Sequence, residues 1–453
     1  MSRSTRKRVQ EIERKIKQLT EKPPALPNDP IEFCEKILGF TPTEYQKRLF
    51  QSDSKRIILR WARQSGKTKT IAARGIIQAS LHPRSLILVI APGLRQSLIV
   101  GSHVQELLRA MPREHRRSTV RQQLKTKFRF RNGSEILILP NSENQLRGFA
   151  AHLIIADEAA FFRNDEVIFE NVLPPMLATT GGTLIASSTP WGKNTVFYRL
   201  NQDPDYEKHV VTWRQAAKEG VYHTGFIDQI EKTRETRPQV YRMEYEAEFI
   251  EEIDTWLDQD LLAKSCSEEL EYLPFDSRQT GIFYMGVDLA ERVDYSVIAI
   301  LRKNEERLDL VHMHRFKKGT SIASVIGYAK ILTERWSRII ATYVDKTKHG
   351  DYVVNDFQEA GVARPTGINF TQDTKQEMAQ ILKQRMTEGI LQLPFDRDTL
   401  DELNIEKYEL TKTGRITFSH PEGTHDDRFW ALALAAYAAE QAPPPSIPIA
   451  RAV

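Results

Sequence analysis

Gly66, Lys67 and Thr68 stand where the apolar run RIILRWA gives way to the helical stretch KTKTIAARGIIQASL. At such a strand-to-helix junction, loop amides and a helix N-terminus hold phosphate, so Arg63, Gln64, Ser65, Gly66, Lys67, Thr68 and Lys69 form a candidate nucleotide loop. Lys67 would reach the β and γ phosphates of ATP, and the Thr68 hydroxyl would ligate Mg²⁺. The usual loop pattern also wants a glycine at position 61, where this chain has Trp61. The match therefore needs support from elsewhere in the chain.

Three further features supply it. In HLIIADEAA, Asp157 and Glu158 leave the C-terminal end of an apolar strand, where open α/β sheets place their ligands. Asp157 suits the Mg²⁺ shell and Glu158 suits activating the attacking water. Gln46, in TPTEYQKRLF ahead of the first strand, is a candidate adenine contact. ASSTP ends the next strand, with Ser188 and Thr189 placed to sense the γ-phosphate. An arginine must also meet the charge that develops in phosphoryl transfer. Arg147 in NQLRGFAAH is expected to be that finger, in cis or toward a neighbouring subunit, with Arg63 as a contact of the phosphate loop.

A second set of residues suits divalent cations. Asp288 lies within the apolar strand YMGVDLA, where an ionised carboxylate is costly unless paired or bound to a cation. Asp345 ends the strand ATYVDKT, and Asp426 and Asp427 open an alanine-rich amphipathic helix. Three separated carboxylates on the right strand order make a site for two metals that clamp the attacking and leaving oxygens of a phosphodiester. Which of Asp426 and Asp427 ligates metal stays open. Asp294 is either an assistant or a turn residue, and His425 is a weaker candidate. Lys346, Lys348 and His349, and the basic turn with Lys412 and Arg415, either touch DNA phosphates or form solvated loops.

The elements that must position these residues divide the chain into an α/β fold of two domains. Residues 1–39 read as a basic helical arm, docking on a partner or folded back, followed by a proline-rich linker. Residues 40–204 alternate apolar strands with helices, the pattern of a parallel sheet covered on both faces, here a P-loop ATPase domain of the ASCE type. Within it FRFRNGSEILILP reads as a hairpin, Asn132-Gly133 suiting a type I′ turn. Residues 205–275 are helical and charged, a small lid and linker subdomain. Residues 276–440 give three consecutive strands, a helix and a fourth strand, the order of an RNase H-like nuclease domain; 441–453 form a proline-rich tail, expected to be disordered.

Composition agrees with an ordinary globular protein, with 40% hydrophobic and 27% charged residues. No apolar run is long enough to span a bilayer, and the charged N-terminus lacks the core of a secretory signal, so a cytoplasmic protein with no membrane partner is expected. The two cysteines, Cys34 and Cys266, are far apart and form no zinc motif. The net charge of +4 is compatible with a nucleic-acid partner without requiring one.

In order and spacing, ARQSGKT, LIIADEAA, SSTP, GVDLAERVDYSV, YVDKT and HDDRFWALALA resemble the large terminase subunit of tailed bacteriophages over roughly residues 40 to 440. In that family the loop often lacks its first glycine, so Trp61 ceases to count against the assignment. The resemblance implies ATP-driven translocation of double-stranded DNA into procapsids and endonucleolytic cutting of concatemers. It implies ATP with Mg²⁺ at one site and two divalent ions, Mg²⁺ or Mn²⁺, at the other. The expected partners are double-stranded DNA, a portal protein and a small terminase subunit. The chain is expected to be a monomer in solution and a homo-oligomeric ring, a pentamer, on the portal, acting in the host cell cytoplasm and absent from the mature virion. The alternative is a DEAD-like helicase or remodelling ATPase, which shares the order of Gln46, SGKT, DEAA and SSTP but needs a second ATPase-like domain.

Overall fold

The computed structural model describes residues 25–236, 238–250, 255–290, 295–410, 416–421 and 424–442. The expected N-terminal arm up to residue 24, Asp294, the turn with Lys412 and Arg415, and the tail from 443 lie outside these residues.

The first sheet has eight strands: β1 (Arg56–Trp61), β2 (Leu86–Ala91), β3 (Val120–Gln123), β4 (Lys127–Phe130), β5 (Glu135–Pro140), β6 (Leu153–Asp157), β7 (Thr183–Ser188) and β8 (Glu207–Val211), in the order β3-β4-β5-β2-β6-β7-β1-β8. All neighbours from β5 to β8 pair in parallel, and β3 and β4 add an antiparallel edge. Alternate residues of each central strand face opposite cores. Ile57 and Leu59, Ile87 and Val89, Leu153 and Ile155 pack one way. Ile58, Leu88, Ile90 and Ile154 pack the other. Burial of both faces is why these strands read as continuous apolar runs. Strand β7 lies between the phosphate-loop strand β1 and the acidic strand β6, so ASSTP runs alongside both.

Two local expectations change. Strand β8 completes the first sheet beside β1, although its residues fall in the segment assigned to the lid. The 205–275 segment therefore starts as sheet edge, and its helical part follows with Trp213–Lys218, Thr224–Thr236 and Pro238–Glu244. The β4–β5 hairpin forms, but its turn is not type I′, because only Gly133 has positive φ, at 86°. The Asn132 side chain instead donates to the Ala79 carbonyl at 2.8 Å and ties the turn to the preceding helix.

The second sheet takes in β9 (Cys266–Ser267), β10 (Ile282–Asp288), β11 (Val297–Asn304), β12 (Arg307–Arg315), β13 (Ile339–Asp345), β14 (Pro365–Ile368) and β15 (Leu391–Pro394), ordered β14-β13-β10-β11-β12-β15-β9. Strands β10, β11 and β12 form an antiparallel meander, and β13 then pairs in parallel with β10. That is the expected order of three strands, a helix and a fourth strand beside the first. The alanine-rich helix Asp427–Gln441 lies against β10 at Gly286, where a Cβ would come within 2.1 Å of the Ala431 carbonyl oxygen. Only glycine admits so close an approach.

The domains share one apolar core. Phe161, just past β6, stacks on Trp191 at 4.3 Å and meets Phe395 of the second domain edge-on at 5.5 Å. The segment Phe395–Leu403 is thereby brought against the end of the first sheet.

Candidate functional sites

The loop after β1 is braced before any ligand arrives. Gln64 and Gly66 both take positive φ, at 58° and 83°, and the helix Lys67–Leu81 starts at Gly66. The Ser65 hydroxyl donates to the Ala62 carbonyl at 2.7 Å, Tyr45 donates to the Ser65 carbonyl at 2.8 Å, and the Arg63 amide donates to the Glu244 carbonyl at 2.7 Å. Lys67 is buried, and its ammonium pairs with Glu158 at 3.3 Å. A cavity of about 310 Å³ is lined by Gly66, Lys67, Thr68, Glu158, Thr189 and Arg397.

Both acidic residues at the end of β6 are buried. Asp157 accepts from Gln96 and from Ser187, each at 3.3 Å, and burial lifts its carboxyl to about 6. Glu158 adopts a left-handed backbone with φ 53°, an uncommon conformation for such a residue. Burial alone would raise the Glu158 carboxyl, but Lys67 and Arg397 hold it below its ordinary value. Ser188 donates to Glu158 at 3.2 Å, and Thr189 lies 3.4 Å from a Glu244 carboxylate oxygen. Each hydroxyl-bearing residue of SSTP thus touches one buried carboxylate.

Sequence reasoning missed Glu244 and Arg397. Glu244, buried at the end of the Pro238–Glu244 helix, faces Arg63 at 3.6 Å and also pairs with Arg397. Arg397 starts the Arg397–Leu403 helix of the second domain, yet its guanidinium lies 3.4 Å from Glu158 and donates to Thr189. Glu244 sits in a charged helical stretch and Arg397 in a loop-like PFDRD, neither of which carries a local pattern.

Other expected residues take different places. Arg63 lines the loop cavity, but its guanidinium turns to Asp398 at 2.9 Å. Burial opposes its charge, while Glu244, Asp398 and Asp401 favour it more strongly, so the group is held charged. Gln46, the candidate adenine contact, is not among the residues that line this cavity. Its oxygen accepts from the Thr43 amide at 2.9 Å and its nitrogen donates to Thr70 at 2.8 Å, bracing the loop helix from behind. Lys69 lines the cavity edge with its ammonium 4.8 Å from the Phe40 ring. Arg147 is not brought to Lys67 within the chain. Its side chain is 58% exposed and pairs with Glu143.

In the second domain the carboxylates gather at one end of the sheet. Asp288 ends β10 and Asp345 ends β13, which pair in parallel, and Asp427 begins the helix that Gly286 admits against β10. Burial, Asp427, Asp345 and Asp426 all push the Asp288 carboxyl well above its ordinary value. Like charges held together in this way call for a cation. Lys375, over the Trp430 ring at 4.2 Å, supplies only a partial counter-charge. Among the described residues, no three His, Cys, Asp or Glu side chains stand close enough to cage an ion without moving.

The two adjacent aspartates differ. Asp427 accepts only weakly from the Tyr295 amide, at 3.4 Å, with His425 3.9 Å away, and it acts on Asp288 more strongly than Asp426 does. Asp426 accepts from the Trp430 indole at 2.6 Å and from its other side faces His420 at 3.5 Å. It also faces Glu406, whose carboxyl burial and Asp426 together raise to about 9. Lys346, a candidate DNA contact, pairs with Asp351 at 2.5 Å.

A braced phosphate loop on a parallel sheet, joined to an RNase H-like sheet with converging aspartates, defines a protein with two phosphoryl-transfer sites. The family model for the N-terminal domain of T4-like large terminase subunits matches residues 58–264, and that for the terminase RNase H-like domain matches residues 285–439. The large terminase subunit of Thermus virus P23-45 is 23% identical over 441 residues, covering 88% of each chain. That of Thermus phage G20c is 22% identical over the same span and coverage. Among solved structures, the HK97 bacteriophage large terminase is 14% identical, with 90% of this chain and 99% of that chain covered at a TM-score of 0.43. The chain belongs to the large terminase subunit family, whose members package and cut phage DNA.

Proposed function

We propose that this chain hydrolyses ATP at the β1 loop to drive double-stranded DNA into a procapsid and cuts that DNA at the aspartate cluster of its second domain. The observation that carries this is the presence in one chain of two oppositely built charge sets. One set balances Glu158 with Lys67 and Arg397; the other places Asp345, Asp426 and Asp427 around the buried Asp288.

At the first site, loop amides and Lys67 would bind the phosphates, Thr68 and Asp157 would hold Mg²⁺, and Glu158 would orient the attacking water. Ser188 and Thr189 relay the loss of the terminal phosphate through Glu158 and Glu244. Arg63 sits at the edge of this site, and Arg147, exposed on the surface, is free in geometry to act on a neighbouring subunit of a ring. At the second site Asp288, Asp345 and Asp427 would hold divalent ions, Mg²⁺ or Mn²⁺. Such ions supply a clamp for the attacking and leaving oxygens. Asp426, held by the Trp430 indole, stands beside this set. A portal protein, a small terminase subunit and a pentameric ring on the portal belong to the same reading, with action in the host cytoplasm.

The test is phosphate release from ATP in the presence of double-stranded DNA, alongside cleavage of supercoiled plasmid with Mg²⁺ or Mn²⁺. Lys67→Ala should abolish the first and Asp345→Ala the second. Turnover surviving in the lysine variant, or cleavage surviving in the aspartate variant, contradicts the corresponding half.

A further inference from the structure

We propose that Arg397, carried by the nuclease domain, reads the terminal phosphate of a nucleoside triphosphate bound in the ATPase domain of the same chain. This rests on the β1 loop being the nucleotide site. Arg397 lines the same cavity as Gly66, Lys67 and Thr68, although it lies 239 positions from Glu158 in sequence. Its side chain is only 13% exposed, so its charge has already been stripped of water. The guanidinium is neutralised by Glu158 and Glu244, with Thr189 accepting a further hydrogen bond. Its Nε is buried with no acceptor.

A guanidinium in this state is prepared for an anion. Its planar fork matches two phosphate oxygens, and moving from carboxylates to phosphate costs no new desolvation. The exchange also changes Glu158. With Lys67 on one carboxylate oxygen and Arg397 and Ser188 on the other, three of the roughly four acceptor positions of Glu158 are taken. A terminal phosphate that draws Lys67 and Arg397 away leaves more of the Glu158 carboxylate for the attacking water, so binding of the triphosphate and release of Glu158 follow from one rearrangement. The segment is fixed well enough to deliver the group. Phe395 meets Phe161 edge-on, Arg397 lies over the Phe161 ring at 4.9 Å, and Asp396 pairs with Arg95 at 3.6 Å. Diphosphate, lacking the terminal group, should leave Arg397 on its carboxylates.

The experiment compares binding of ADP and of a non-hydrolysable ATP analogue, both with Mg²⁺, to the full chain and to four variants. Arg397→Ala should weaken the triphosphate analogue at least about tenfold, the scale of one charge-assisted contact, and change ADP by less than about twofold. Arg397→Lys should recover part of the difference. Arg95→Ala, which loosens the same interface away from the cavity, should leave the ratio of the two affinities as in the wild type. Equal loss of both nucleotides in Arg397→Ala, no loss of either, or the same selective loss in Arg95→Ala overturns the proposal in favour of a plain interdomain ion pair. Failure of the site assignment itself looks different: Lys67→Ala would then bind both nucleotides as the wild type does.

Discussion

The two acidic sites of this chain solve opposite electrostatic problems. At the end of β6, Glu158 is buried but paired with Lys67 and Arg397, and its carboxyl lies below its ordinary value. At the ends of β10 and β13, Asp288 is equally buried but surrounded by Asp345, Asp426 and Asp427, and its carboxyl is driven up. A pocket built to receive an anion carries its own cations, which wait on carboxylates until the anion comes. A pocket built to receive cations leaves its carboxylates facing one another. The same carboxylate group, buried to the same degree, thus advertises a different ligand according to its neighbours.

The largest expected effect that breaks this contrast is at the second site. Asp288→Asn should abolish metal-dependent plasmid cleavage while ATP turnover continues, as phosphate release would register. Asp427→Asn should do the same, whereas Asp426→Asn, whose amide oxygen can still accept from Trp430, should leave measurable cleavage. Equal loss in both would show that the two are not distinguished in the way their contacts suggest. Next, Glu158→Gln should lower ATP turnover by about 10² to 10⁴-fold, the usual worth of a positioned general base, without affecting cleavage. Gly286→Ala forces a Cβ against the Ala431 carbonyl and should cost roughly 3 kcal/mol in chemical denaturation, with cleavage reduced because the helix carrying Asp427 must shift.

The smallest effect is a dependence on pH at the interface between the sites. Burial and Glu244 raise the Asp401 carboxyl to about 7, well above the roughly 3.9 of an unfolded aspartate. The fold therefore favours the protonated form. Its contribution is complete below about pH 4 and is lost as pH climbs to about 7. Asp401→Asn should match the wild-type stability to denaturant near pH 4 and exceed it increasingly up to pH 7, by a few kcal/mol at most. A constant offset across that range would remove Asp401 from the account.

Much of this was legible in linear sequence, for a physical reason. Lys67, Asp157, Asp288 and Asp345 each follow or end a run of buried apolar strand residues, so hydrophobic pattern and chemistry lie side by side. The family motifs are of that kind, and they named the fold. What escaped depends on partners distant in sequence. Arg397 meets Glu158 and Glu244 only because Phe395 packs on Phe161, and no local spacing records that contact. The contacts that Gln46 and Arg63 make were hidden for the same reason. Their side chains satisfy Thr70 and Asp398, partners that only the folded chain brings near. The edge strand β8 was hidden by its exposed charges, since an edge strand need not be apolar.

The central claim, two separable sites in one chain, is tested most directly by one crossed assay. ATP turnover and plasmid cleavage are measured side by side for Lys67→Ala and Asp288→Ala. The account predicts that the lysine variant loses turnover and still cuts, and that the aspartate variant stops cutting and still turns over ATP. Loss of both activities in either variant, or of neither, would contradict it.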